Sequence, residues 1–203
     1  MCPAFAGQSL ESRLAAQRRV EPTFRDMKSP ELHRLLRSHL GDWFRSNGFK
    51  RASYTQSGWY RGLSLVWFQC DKWGWDQYAG SGVFVNFEAQ LEPASPTWSG
   101  AVKRLQEFLT AEELEGAREI QNKVISKLKA PPAEYVAMFR AHCGRYPDAV
   151  LMEEGLLDQF KPVERPYRNN QDFTLRYFDH DDVGQWCKFL LGPLPRISEA
   201  LKK

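Results

Sequence analysis

A chain of 203 residues with 42% hydrophobic and 13% aromatic content has the material for one domain with a real core. No run approaches the roughly 18 consecutive apolar residues that span a bilayer, which sets aside a helical membrane protein. The net charge of +3 is uneven: residues 1–60 carry ten Lys/Arg against five Asp/Glu, and the remainder 18 against 20. Such a basic first third suits an acidic partner, but it lacks the dense cationic stripe of a committed nucleic-acid binder.

The first residues, "MCPAFAGQSLESRLAAQRRV", have no charged segment followed by an apolar one, so no signal peptide is expected. Residues 1–26 read as a flexible extension, or as the product of an upstream start codon. Met27 reads as the start of a single domain over 27–203. Cys2, Cys70, Cys143 and Cys187 are scattered, with no C-x-x-C, so buried free thiols in a reducing cytoplasm are expected.

The first clear element follows Met27. Ser29 is a suitable N-cap and Pro30 suits the first helical turn. Leu32, Leu35, Leu36, Leu40, Trp43 and Phe44 recur at spacings of three and four, which predicts an amphipathic helix. Asn47-Gly48 supplies a left-handed stop, with Phe49 folding back onto the last turn. His33, Arg34, Arg37 and Arg45 are assigned to a solvated face.

Strands are predicted next. "SGWYR" and "LSLVWFQC" join at Arg61-Gly62, and "VFVNFEAQL" follows the loop "KWGWDQYAGSG". The third strand alternates cleanly, with Val83, Val85, Phe87, Ala89 and Leu91 on a core face and Phe84, Asn86, Glu88 and Gln90 on a more polar one. "LSLVWFQC" is apolar on both faces, as a central strand is. Helices are predicted over "SGAVKRLQEFL", from the capping box Thr110–Glu113 to Pro131, over "AEYVAMFRAH", over "DAVLMEEGLLDQF" and over "DHDDVGQWCKFLL". "DFTLRYF" is read as a last strand. This order predicts an α+β fold, a single domain with a mostly antiparallel sheet and helices packed on one face.

The motifs of several chemistries are missing. There is no G-x-x-x-x-G-K-[ST], no G-x-G-x-x-G between a strand and a helix, and no G-x-S-x-G. His33, His39, His142 and His180 form no H-x-x-x-H pair, so no zinc site is expected. The densest acidic cluster, Asp179 to Asp182, is read as an N-cap with acids on the positive end of a helix dipole rather than as a metal site. A nuclease-type strand would need Glu-x-Lys, and here it reads Glu88-Ala89-Gln90. No cofactor is expected.

Four short motifs carry a family resemblance. Gly48-Phe49-Lys50-Arg51, Trp59-Tyr60-Arg61, Trp67-Phe68-Gln69 and Phe84-Val85-Asn86 resemble the motif series of a bacterial domain family of unknown function. The likeness covers residues 27–92, and Trp67 stands where that family usually has Asn. It implies an α+β fold with no established activity; small bacterial domains of this general type sit beside toxin genes as inhibitors.

Two features point to a binding surface. Trp59 and Trp67 lie in predicted strands with apolar neighbours and read as core. Trp73 and Trp75 lie among glycines and charges and read as a recognition loop. Beside them, Arg61, Gln69, Asn86 and Glu88 supply hydrogen-bonding groups without a nucleophile and base. The expectation is a non-catalytic cytoplasmic protein that binds another protein, as an inhibitor or immunity-type module, through Arg61, Gln69, Trp73, Trp75, Asn86 and Glu88. The alternatives are single-stranded nucleic-acid binding, with Lys50, Arg51, Arg61 and Lys72 on phosphates, and an enzyme using Glu88 or Asp179–Asp182.

Overall fold

Helix α1 spans Ser29–Ser46 and buries Leu32, Leu36, Leu40 and Phe44, the stripe its spacing predicts. Two details differ from expectation. The cap position falls on Lys28, in extended backbone, with Ser29 inside the first turn and making no side-chain cap. His33 is buried, not solvated: it lies three residues before Leu36, on the inward face, and only 5% of it is exposed. Gly48, at φ 77°, makes the left-handed exit, and the Phe49 N–H returns to the Phe44 carbonyl at 2.9 Å.

The protein is described by a computed structural model over residues 27–53, 55–70, 78–90, 98–144, 146, 149–171 and 173–201, with backbone alone for 90, 98–101, 142, 143, 149 and 151–153. The predicted extension 1–26 and the tryptophan loop 71–77 lie outside the described residues.

Six strands form one antiparallel sheet: β1 (Lys50–Arg51), β2 (Gly58–Arg61), β3 (Ser64–Cys70), β4 (Ser81–Gln90), β5 (Trp98–Arg104) and β6 (Leu175–Tyr177). The order is β1-β2-β3-β4-β5. The far edge of β4 is shared, with β5 pairing along Asn86–Gln90 and β6 along Ser81–Val83. β3 lies between β2 and β4, as its two-sided apolar sequence requires.

The helices are α2 (Ala111–Ile125), α3 (Ala133–Cys143), α4 (Ala149–Asp158), α5 (His180–Leu191) and α6 (Leu194–Ala200). The predicted capping box of Thr110 with Glu113 opens α2, and Asp179, the predicted N-cap, opens α5 in a box with Asp182. One expected helix does not form. "SGAVKRLQEFL" is strand β5 up to Arg104 and then a 3-10 turn over Leu105–Phe108. Pairing with the open edge of β4 satisfies its backbone there, and this overrides a helix-compatible spacing.

The core lies between one sheet face and the helices. Trp59, Val66, Phe68, Val83, Val85, Phe87, Leu175 and Tyr177 meet α1, α2, α5 and α6 through Leu36, Leu40, Phe44, Leu114, Ala117, Val183, Trp186, Leu190, Leu194 and Ile197. Trp59 stacks on Phe44 with ring centroids 4.4 Å apart. Burying side chains of this size contributes about 1.5–3 kcal/mol each. Among the described residues no helix is long and apolar enough to cross a membrane.

Candidate functional site

Register decides which side chains share a sheet face, because directly paired antiparallel residues point the same way. Leu65 pairs Glu88, Trp67 pairs Asn86, and Gln69 pairs Phe84. Across the other edge of β4, Asn86 pairs Arg104 and Glu88 pairs Val102. Gln69, Asn86 and Glu88 therefore lie on one face, opposite the helical core, as the sequence predicts. They are joined there by Arg104, which the sequence reading missed.

That face is not simply solvated. Asn86 is wholly buried and Glu88 is buried, while Gln69 is exposed and Arg104 half-buried. The Arg104 Nη1 donates to Asn86 Oδ1 and lies 3.5 Å from Gln69 Oε1. The Asn86 amide donates to the same Gln69 oxygen at 3.4 Å. The guanidinium carbon sits 4.5 Å from the centroid of the Phe84 ring, a cation–π contact. Asn86 orients one edge of the guanidinium and Phe84 supports its plane, while Nε and Nη2 make no hydrogen bond among the described residues. Arg104 forms no ion pair among the described residues. An arginine fixed in this way presents a planar fork suited to a carboxylate or phosphate.

Arg61 is not brought to this face. It pairs Ser64, on the core side, where its two nitrogens donate to the Asn47 carbonyl at 3.0 Å and the Ser198 carbonyl at 2.8 Å. Its guanidinium lies 4.5 Å from the Phe49 ring centroid. Arg61 thus fastens the end of α1 and the last helix to the sheet edge. Trp59 lies in the core and Trp67 is half-buried on the opposite face, near Asn86 in register. Trp73 and Trp75 lie outside the described residues.

The acidic cluster is a structural joint. Asp182, with no exposed side chain, accepts the Phe178 and Asp179 N–H groups at 2.8 and 3.2 Å and the Lys127 ammonium at 2.6 Å. Lys127 also reaches Asp179 at 2.9 Å. Burial opposes the Asp179 charge, but the bonds from Lys127 and the Asp182 N–H together hold its carboxyl below the usual range. Among the described residues no group of three or more His, Cys, Asp or Glu is placed to hold a metal ion.

A second feature lies along α1. Arg37, Gly41, Arg45, Phe49, Lys50, Arg51 and Trp59 line a groove of about 450 Å³. Four cations rim an aromatic floor. Asp42, in an exposed pair with Arg45, offsets little of that charge.

No protein-family model, no curated protein and no solved structure matches this chain.

Proposed function

We propose that this chain is a non-catalytic, cytoplasmic protein-binding module of the inhibitor or immunity type, and that Gln69 and Arg104 are the exposed part of its recognition face, with Asn86 and Glu88 buried beneath them. The observation that carries the reading is Arg104: a half-buried guanidinium oriented by Asn86 and backed by Phe84, with no carboxylate of its own among the described residues. Holding an arginine in one pose lowers the ordering cost of binding, and arginine is enriched at interface hot spots. The partner presents an acidic side chain to that fork. Trp73 and Trp75, which follow β3 within five residues in sequence, are the aromatic contacts this reading assigns to the same partner. The motif series of the resembled bacterial domain family is consistent with this reading.

The groove along α1 favours a second reading, single-stranded nucleic acid, since Arg37, Arg45, Lys50 and Arg51 surround the rings of Phe49 and Trp59. The two readings part on salt. Fluorescence anisotropy with labelled single-stranded oligonucleotides at 50 and 200 mM salt is expected to show only weak association, unaffected by Arg104→Gln. Micromolar binding that falls steeply with salt and is lost in Arg45→Ala/Arg51→Ala would replace the first reading with the second.

A further inference from the structure

The groove along α1 holds one residue that neither packing nor backbone geometry calls for. Gly41 stands in the interior of that helix, where glycine is a poor helix former. It is not among the glycines at positive φ, and among the described residues a Cβ added there meets no atom within 4 Å. What the missing side chain leaves is open space in the groove that Gly41 itself lines.

Cations surround that space. Arg37 and Arg45 lie about one turn to either side of Gly41 on the same face of α1, about 12 Å apart along the axis. Arg37 is half-buried and anchored, its Nη1 donating to the Gln56 carbonyl at 2.9 Å. Arg45 is exposed and paired with the exposed Asp42. Across the groove stand Lys50 and Arg51 of the edge strand β1, both exposed and in no ion pair among the described residues. The floor is closed: Phe49 and Trp59 are each 5% exposed, too deep to serve as stacking platforms for the bases of a strand. At about 450 Å³ the groove has the size of a small-molecule site.

A ligand that neutralises several cations in so small a space carries several negative charges close together, and guanidinium groups match phosphoryl oxygens in bidentate geometry. We propose that this groove is a binding site for an oligophosphate group, seated over Gly41 between α1 and β1. Arg37 and Arg45 hold it from the helix, Lys50 and Arg51 from the strand, and the absent side chain at 41 lets the phosphates approach. Such a group occurs as an inorganic ion and as the tail of a nucleotide, and the cations read the chemistry the two share. The site does not depend on the Arg104 face, which lies on the side of the sheet away from the helical core.

The test is isothermal titration calorimetry of the full chain with sodium tripolyphosphate and, separately, with ATP, both without divalent metal and at a constant ionic strength of about 0.15 M. Tripolyphosphate should bind at one site with a Kd of about 100 μM or tighter. Gly41→Leu keeps every cation, fills the space over residue 41 and improves the helix former. It should weaken binding at least about tenfold, with a melting temperature at or above wild type. Arg45→Ala/Arg51→Ala, at exposed positions, should weaken it as much, and Arg104→Gln should leave it unchanged. Should Gly41→Leu fail to fold, the double variant and the stoichiometry decide. Equal affinities, or a preference for tripolyphosphate, assign the site to the phosphates alone; tighter binding of ATP assigns it to a nucleotide's tail; either supports the proposal. No saturable binding below about 1 mM, binding unchanged in a folded Gly41→Leu or in the double variant, or a single-stranded oligonucleotide that outcompetes tripolyphosphate at the same ionic strength overturns it.

Discussion

Arg104 on β5 and Asn86 on β4 are direct partners across the sheet, and the guanidinium of the first donates to the amide oxygen of the second. Asn86 has no exposed surface, so its polar atoms depend on such partners. Asn86→Leu should therefore cost about 2–4 kcal/mol, through strained packing and lost bonds. Urea denaturation measures it, and a neutral result would show that Arg104 is not held in the way described.

Arg61 separates structure from recognition. Arg61→Ala removes two bonds to backbone carbonyls and a ring contact, and should lower stability by about 1–3 kcal/mol while leaving partner affinity unchanged. Thermal melts and a binding titration on the same variant check both halves.

Along α1, Leu36 and Trp43 share the predicted apolar stripe but differ in depth, since Leu36 is buried and Trp43 only half-buried against Phe44. Leu36→Ala should cost about 2–5 kcal/mol, as deep core truncations do. Trp43→Ala should cost about 1–2 kcal/mol, in proportion to its smaller buried area. Denaturant titrations that reverse this order would contradict the placement of the helix.

Lys127→Met tests the acidic joint by pH. The Asp179 carboxyl is held low in the folded protein, so the stability this contributes is present above its unfolded value of about 3.9 and is lost as pH falls through the folded one. Burial works against the Lys127 charge, but its bonds to Asp182 and Asp179 win and raise it, so its contribution holds until pH rises past the usual lysine range. The variant should be less stable than wild type by about 1–3 kcal/mol between pH 5 and 9, discounted because Lys127 is one-third exposed. The difference should shrink below about pH 4. A gap that is constant with pH would mean that packing, not charge, links these helices.

Local signals carried much of the fold. The α1 stripe, the alternation of β4, the capping box at Thr110 and the N-cap at Asp179 each reside in a few adjacent residues, and each forms. What was missed depends on partners distant in sequence. β5 is a strand because β4 has an open edge, and a spacing of three and four over Val102, Leu105 and Leu109 carries no record of that edge. With β5 read as a helix, Arg104 had no reason to face Asn86. His33 did leave a signal, three residues before Leu36, but its contacts with Ser57 and Cys70 come from 24 and 37 residues away.

Quantitative affinity capture from cytosol, with wild type, Arg104→Gln and Arg45→Ala/Arg51→Ala as matched baits, tests the recognition face most directly, followed by titration against the purified partner. Gln at 104 retains a donor for Asn86 while removing the charge and the fork. One protein should be enriched by wild type and by the double variant. Arg104→Gln should bind it more weakly by about 2 kcal/mol, roughly thirtyfold, with a melting temperature close to wild type. An affinity unchanged in Arg104→Gln, or lost only in Arg45→Ala/Arg51→Ala, would contradict recognition through this face.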